Sequence, residues 1–289
     1  MRNLFYELTL EDKKIYEQYV NHEIYPHSLY SFTTIYIWRK YFNAKFIEKD
    51  GSFIFLNEKR NGEKFCLFPV SKGDTKKAVD FILESGINEI RGVSPEMLER
   101  LKNKELFDIT PMRNGFDYVY ETEKLISLSG KKLHKKKNHL NKFLSVYPDY
   151  SFKIIDSSCI SDCFYIMEKW FSEKYPDSGY FEREATGDIL NNLDELGCKG
   201  VILYVKDKPV AFSVGENITK DTALIQIEKA DTSFDGSYAM INNLMVKTLF
   251  SDTKFVNREE DMGIESIRKA KLSYKPHHFN ETYCLIKKS

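Results

Sequence analysis

The densest run of reactive side chains lies near the end of the chain, in Asn257-Arg258-Glu259-Glu260-Asp261-Met262-Gly263-Ile264-Glu265-Ser266-Ile267-Arg268-Lys269-Ala270-Lys271-Leu272-Ser273-Tyr274-Lys275-Pro276. It follows Phe255-Val256, a short apolar strand candidate. Loops that leave the C-terminal ends of strands line the binding crevice of an α/β sheet. Glu259, Glu260 and Asp261 would stand at that crevice, with Arg268, Lys269 and Lys271 on the helix that follows. Charges packed so closely shift one another's pKa and set a general base beside cations able to hold phosphate. Helix capping accounts for the same order of charges, acids first and bases last. It does not account for the scarcity of apolar residues after a central strand.

Glu228 is a second candidate carboxylate. It ends a strand reading Leu224-Ile225-Gln226-Ile227, where a period of two puts Gln226 and Glu228 on one face and Ile225 and Ile227 on the other. It is either a catalytic group or a satisfied polar residue of a central strand. A third signal is basic: five lysines with His134 and His139 fall between residues 131 and 139. The wider stretch Lys124–Pro148 holds Lys124, Lys131, Lys132, Lys135, Lys136, Lys137 and Lys142 and no acid. Leu133, Leu140, Leu144 and Tyr147 give it one packing face, so a helix over about 129–147 is expected, opened by Ser129-Gly130 and closed by Pro148. Such a ridge suits RNA, a phosphorylated cofactor or anionic lipid headgroups, unless acidic surfaces elsewhere balance it. Cys159 and Cys163 lie one helical turn apart with no second pair to complete a zinc site, and His277-His278 lacks a partner, so no metal is expected. Neither a P-loop nor a nucleophile elbow is present.

These groups need elements to position them, and the same order of elements is read twice. In the first part, helices over Thr9–Val20 and 31–41 precede strands near 44–48, 52–57 and 64–70, joined by the hairpin dipeptides Asp50-Gly51 and Asn61-Gly62. A helix over 74–85 stops at Gly86, a strand lies near 89–92, and a helix starts at Ser94-Pro95. Strands near 107–109 and 115–120 close this part. In the second, helices over Cys159–Tyr175 and 182–196 precede strands at 200–206, 209–217 and 223–230. Then come a helix over 236–250, a strand at 254–257, a helix over 264–273 and a strand at 281–287. The pattern predicts an α/β (α+β) class with two domains, residues 1–123 and 124–289, the second preceded by the basic helix. Each would be a mixed twisted sheet flanked by helices. This is the order of the GNAT, acyl-CoA N-acyltransferase-like, fold. Asp235-Gly236-Ser237-Tyr238 stands where acyl-CoA enzymes of that fold carry a Gly-rich pyrophosphate loop; a single glycine beside an Asp speaks against coenzyme A there. Val70-Ser71-Lys72-Gly73-Asp74 is weaker still.

Composition narrows the class. The chain of 289 residues is 42% hydrophobic and 30% charged, which excludes disordered and collagen-like chains. Lys plus Arg is 43 and Asp plus Glu is 43, so a basic function must come from a local patch. No apolar run approaches the roughly 20 residues of a membrane span, and the start turns acidic at Glu7 without a signal-peptide core. Five cysteines without repeating spacing suit a reducing cytoplasm.

Three stretches carry a family resemblance: Val256–Ile264 with Arg268–Pro276; Ile227-Glu228-Lys229-Ala230 with Gly236-Ser237-Tyr238 and Ile241-Asn242; and Leu128–Asn138. They resemble a bacterial family related to the C-terminal domain of phosphatidylglycerol lysyltransferase. The resemblance spans nearly the whole chain, and its C-terminal motif is long. It implies two GNAT-like domains in tandem, as in the Fem-type peptidyltransferases, and transfer of an aminoacyl group from aminoacyl-tRNA to an acceptor. In the lipid-modifying members the acceptor is the hydroxyl of phosphatidylglycerol.

Under that reading a carboxylate takes the acceptor proton: Asp261 or Glu259 first, then Glu228. Arg258, Arg268, Lys269 and Lys271 stabilise the oxyanion and hold phosphate, with Asn257 and Tyr274 completing the binding set. Lys131, Lys135, Lys136 and Lys137 form the approach surface for tRNA. No cofactor is held; aminoacyl-tRNA, or acyl-CoA in the alternative, is a co-substrate. The acceptor is an anionic lipid headgroup, a peptide or a small molecule, and the protein is cytoplasmic or peripheral at the membrane. A third alternative is a non-catalytic module that binds tRNA or an anionic surface.

Overall fold

The computed structural model describes residues 5–174 and 180–288. They fall into two compact units, Met1–Asp117 with Asn280–Ser289, and Tyr118–Phe279. The boundary lies a few residues before the expected 123/124. The last strand, Tyr283–Lys287, expected to close the second domain, instead pairs antiparallel with both Glu89–Val93 and Phe107–Pro111 of the first. Leu285 at its centre is fully buried there.

The first unit is a mixed eight-stranded sheet. Asp50 and Gly51 both have positive φ, as a two-residue I′ hairpin requires, and they join Lys45–Lys49 to Ser52–Glu58. Lys64–Leu67 runs parallel to Glu89–Val93. Ser31 and Ser94 cap helices Phe32–Trp38 and Pro95–Arg100 by accepting from Thr34 N and Met97 N, each at 3.3 Å. The expected helix over Thr9–Val20 shrinks to a 3-10 turn, Leu10–Asp12, and one helical turn, Lys13–Tyr16. Tyr16 is fully buried and donates to Tyr30 O, and the chain then turns at Asn21.

The second unit is a mixed seven-stranded sheet. Its order is His278–Asn280, Asp117–Glu121, Phe255–Asn257, Thr222–Ala230, Lys208–Asn217, Lys199–Val205 and Tyr150–Ile154. Lys206 and Asp207, both at positive φ, make the tight turn between two of the long strands. Helix Ser237–Leu249 packs on one face, where Val201, Leu203, Ala223, Ile225, Ile241, Met245 and Phe250 form a core with Phe143 of the basic helix. Helices Ile160–Lys174 and Tyr180–Asn191 supply Trp170, Phe171 and Glu182 to the side chain of Lys229 in strand 222–230. The expected helix end at Tyr175 lies outside the described residues. The basic segment is a 3-10 turn, Lys131–Leu133, followed by helix His134–Val146. Among the described residues no helix is long and apolar enough to cross a membrane.

Candidate functional site

Two features of strand 222–230 set the site. The first is a bulge. Val214 pairs with Ile227 but the next residue, Gly215, pairs with Ile225, so Gln226 is an extra residue on its strand. Gly215 makes room for it: a Cβ there would lie 2.4 Å from Leu224 O. Gln226 Nε2 turns aside to donate to Glu216 Oε1 at 2.9 Å. The bulge resets the alternation. Glu228 therefore shares a face with Ile225, not with Gln226 as a strict period of two requires, and points toward helix Ser237–Leu249.

The second feature is a fork. Strands 222–230 and 255–257 are parallel neighbours, paired at Thr222↔Phe255, Ala223↔Val256 and Leu224↔Asn257. Beyond that register the first continues to Ala230, while Arg258 N donates to Tyr118 O at 3.0 Å. Glu228 stands where they part. Its Oε1 accepts from Arg258 Nη2 at 3.0 Å and its Oε2 from Asn242 Nδ2 at 3.1 Å. Both members of the ion pair have side chains 13% exposed. The Arg258 guanidinium carbon lies 4.8 Å from the Tyr274 ring centre and 5.8 Å from that of Tyr120. Lys136, from the basic helix, places Nζ 4.3 Å from the Tyr274 ring centre. Burial, with the Arg258 charge, holds the Lys136 ammonium below its usual range, and Glu228 opposes the shift. Arg258 is moved upward: burial, the largest single influence, opposes this, but Glu228 together with Tyr274 and Tyr120 outweighs it.

The structure thus brings Glu228, Arg258, Tyr274 and Lys136 together. The other expected residues take different places. Asp261 is fully buried and fully engaged: Oδ2 accepts from Tyr118 Oη at 2.6 Å and Arg268 Nε at 2.8 Å, Oδ1 from Arg268 Nη2 at 2.9 Å and Gly263 N at 2.8 Å. Burial works against its charged form, but these donors prevail and hold the carboxyl down to about 2. Such a group is a weak base. Lys271 Nζ donates to the carbonyls of Arg258 and Glu260, Tyr120 Oη donates to Lys271 O at 2.8 Å, and buried Asn257 accepts from Glu259 N at 2.8 Å. These bonds fix the loop after the strand, in which Glu259 and Met262 sit at positive φ. Lys269 pairs with Glu265 at 2.5 Å on the open surface. Lys131, Lys135 and Lys137 are exposed. Asn242 and Tyr120 were not among the expected site residues. A polar Asn within the apolar run Ala239–Val246 was the available signal for the first; nothing local marks the second.

The start of helix 237–249 is packed against the basic helix. Gly236 has φ +84, and a Cβ on it would lie 2.5 Å from His139 O. Asp235 pairs with Lys142. In the first unit, the parallel strands 64–67 and 89–93 also part, and that gap is filled. Buried Tyr30 donates to Phe68 O at 3.3 Å and Gly92 O at 2.9 Å, one on each side. Gly92, at φ +79, leaves 3.0 Å between its missing Cβ and the Tyr30 hydroxyl. In the second unit the corresponding gap holds the Glu228–Arg258 pair instead of a tyrosine.

A model of the family described as phosphatidylglycerol lysyltransferase, C-terminal, matches residues 22–286. The crystal structure of a conserved protein of unknown function from Bacteroides thetaiotaomicron VPI-5482 is 33% identical, with 98% of this chain and 99% of that one covered, at a TM-score of 0.90. The structure of L-PGS from Bacillus licheniformis is 13% identical over 100% of this chain and 95% of that one, at 0.67. FemX is 8% identical over 98% and 97%, at 0.58. The last two share the fold alone.

Proposed function

Because this chain belongs to the phosphatidylglycerol lysyltransferase C-terminal family, we propose that it is an aminoacyltransferase. In this reading it moves an aminoacyl group from aminoacyl-tRNA to a hydroxyl or amine acceptor at the fork of the second unit. The observation that carries the reading is Glu228, a carboxylate turned by a bulge into the fork between two parallel strands and set beside Arg258 and Lys136.

Each Glu228 oxygen has one described donor and keeps a further lone pair for an acceptor O–H or N–H. The acceptor heteroatom attacks the ester carbonyl carbon as Glu228 takes its proton. Negative charge gathers on the carbonyl oxygen, where a nearby cation stabilises it. The ester C–O bond then breaks, and the freed ribose hydroxyl recovers the proton from Glu228. Asp261, first in line from the sequence, is better suited to holding Arg268 and Tyr118 in place. The acceptor is a lipid headgroup, a peptide or a small molecule. Acyl-CoA as donor is disfavoured by the packing of Gly236 on His139, which occupies the helix start a pyrophosphate would use.

The test is binding of charged tRNA, uncharged tRNA and acyl-CoA at two salt concentrations. Salt-sensitive tRNA binding is expected. Acyl-CoA binding without tRNA binding would move the protein to the ordinary acyltransferases.

A further inference from the structure

Five lysines stand in the basic segment between residues 131 and 139, and one differs from the rest. Lys131, Lys132, Lys135 and Lys137 are exposed, whereas Lys136 is half-buried and reaches the Tyr274 ring that also supports Arg258. Arg258 uses Nη2 on Glu228 and also engages the Tyr274 side chain, but no acceptor meets hydrogen-bond geometry at its buried Nη1. Two cations therefore share one aromatic wall in the fork. Glu228 is the acid whose charge bears on both. A buried guanidinium N–H without an acceptor is costly unless a ligand supplies one. An oxyanion meets both demands, and Arg is suited to phosphate recognition.

We propose that Lys136 and Arg258 clasp the phosphodiester nearest the ester of the RNA donor, at the inner end of a phosphate track that begins on the exposed lysines of the same segment. The inference rests on aminoacyl-tRNA being the donor. The track is continuous in sequence: Lys135, Lys136 and Lys137 are successive positions of one helix, and Lys131 and Lys132 lie in the 3-10 turn that leads into it. Clasped this way, the ester is delivered beside Glu228 by the same arginine that orients the carboxylate. Lys136 and Arg258 thus act as positioning residues for the donor.

The experiment measures binding of two uncharged tRNAs, one intact and one lacking its last four 3′ nucleotides, to the wild-type protein and to Lys136→Gln, Lys136→Arg and Lys137→Gln. Lys136→Gln should weaken the intact tRNA about tenfold and leave the trimmed one unchanged, and Lys136→Arg should restore the intact affinity. Lys137→Gln should weaken both equally, as a surface contact does. Melting curves confirm that each variant folds; Lys136→Met, which keeps the stem against Tyr274, replaces Gln if it does not. Equal loss for both tRNAs in Lys136→Gln, no loss at all, or no tRNA binding by the wild type would overturn the assignment. So would a loss confined to phosphatidylglycerol vesicles, which would place a lipid phosphate in the fork instead. The measurement needs no turnover. End-dependent binding with no transfer to any acceptor would therefore sink the transferase reading and leave the subsite standing.

Discussion

Arg258 Nη2 donates to Glu228 Oε1 at 3.0 Å across the gap between two strands that are paired only up to Leu224 and Asn257. Neither residue's local sequence specifies the other. Glu228→Gln keeps an acceptor for Arg258 and removes the base. Turnover should fall by about a hundredfold or more, with donor affinity close to wild type and a lowered thermal midpoint, because the buried Arg258 loses its counter-charge. Single-turnover rates alongside equilibrium binding separate these effects, and an unchanged rate would remove Glu228 from the mechanism.

Asp261→Asn should act on stability. The buried carboxylate accepts two bonds from the partly exposed Arg268 and others from Tyr118 and Gly263, and losing these charge-assisted bonds costs roughly 2 kcal/mol. Denaturant unfolding of the variant at neutral pH measures the loss.

The same pair fixes a pH dependence. The Asp261 carboxyl sits at about 2, below its ordinary 3.8. A depressed value means that the folded state favours the charged form. Its stabilisation is complete above the unfolded value and is lost as pH falls through about 2. The stability gap between wild type and Asp261→Asn should hold from pH 7 to 5 and close between pH 4 and 2. A constant gap over that range would contradict the assignment.

Gly236→Ala meets both a positive φ and a carbonyl 2.5 Å away. It should cost about 2 kcal/mol. It should also weaken tRNA binding, because the basic helix rests on that contact. Alanine at Gly73, where nothing lies within 4 Å, should do neither.

How far these features were legible in the sequence follows from the range of the interactions. Asp50-Gly51, Ser94-Pro95 and the Val/Ile-rich strand 199–205 are local signals, and the structure follows them. The destination of Tyr283–Lys287 is not local. An apolar strand at the chain end fits either sheet, and its partners, Glu89–Val93 and Phe107–Pro111, lie far back in the sequence. The bulge at Gln226 defeated alternation because its signal, Gly215, stands on the neighbouring strand. In the charged stretch 257–276 the composition showed where charge gathers. It did not show that Asp261 turns to Arg268 while Arg258 turns to Glu228.

Glu charge reversals at Lys135 and Lys137 test the outer surface. Both are exposed, so Lys135→Glu with Lys137→Glu should leave the thermal midpoint unchanged. Donor affinity should drop, and the log–log salt slope should flatten by about 0.7–0.9 for each phosphate that is no longer neutralised. An unaltered slope would show that the ridge does not meet RNA.

The most direct test follows the donor ester itself. Radiolabelled aminoacyl-tRNA, charged with a mixture of amino acids, is incubated with excess protein and an acceptor mixture of phosphatidylglycerol vesicles, a short peptide and glycerol. Wild type should discharge a fraction of the label onto one acceptor within a single turnover, while Glu228→Gln binds the same tRNA and leaves the ester intact. Discharge by Glu228→Gln at the wild-type rate, or tight binding by both proteins with no discharge by either, would contradict catalysis at the fork.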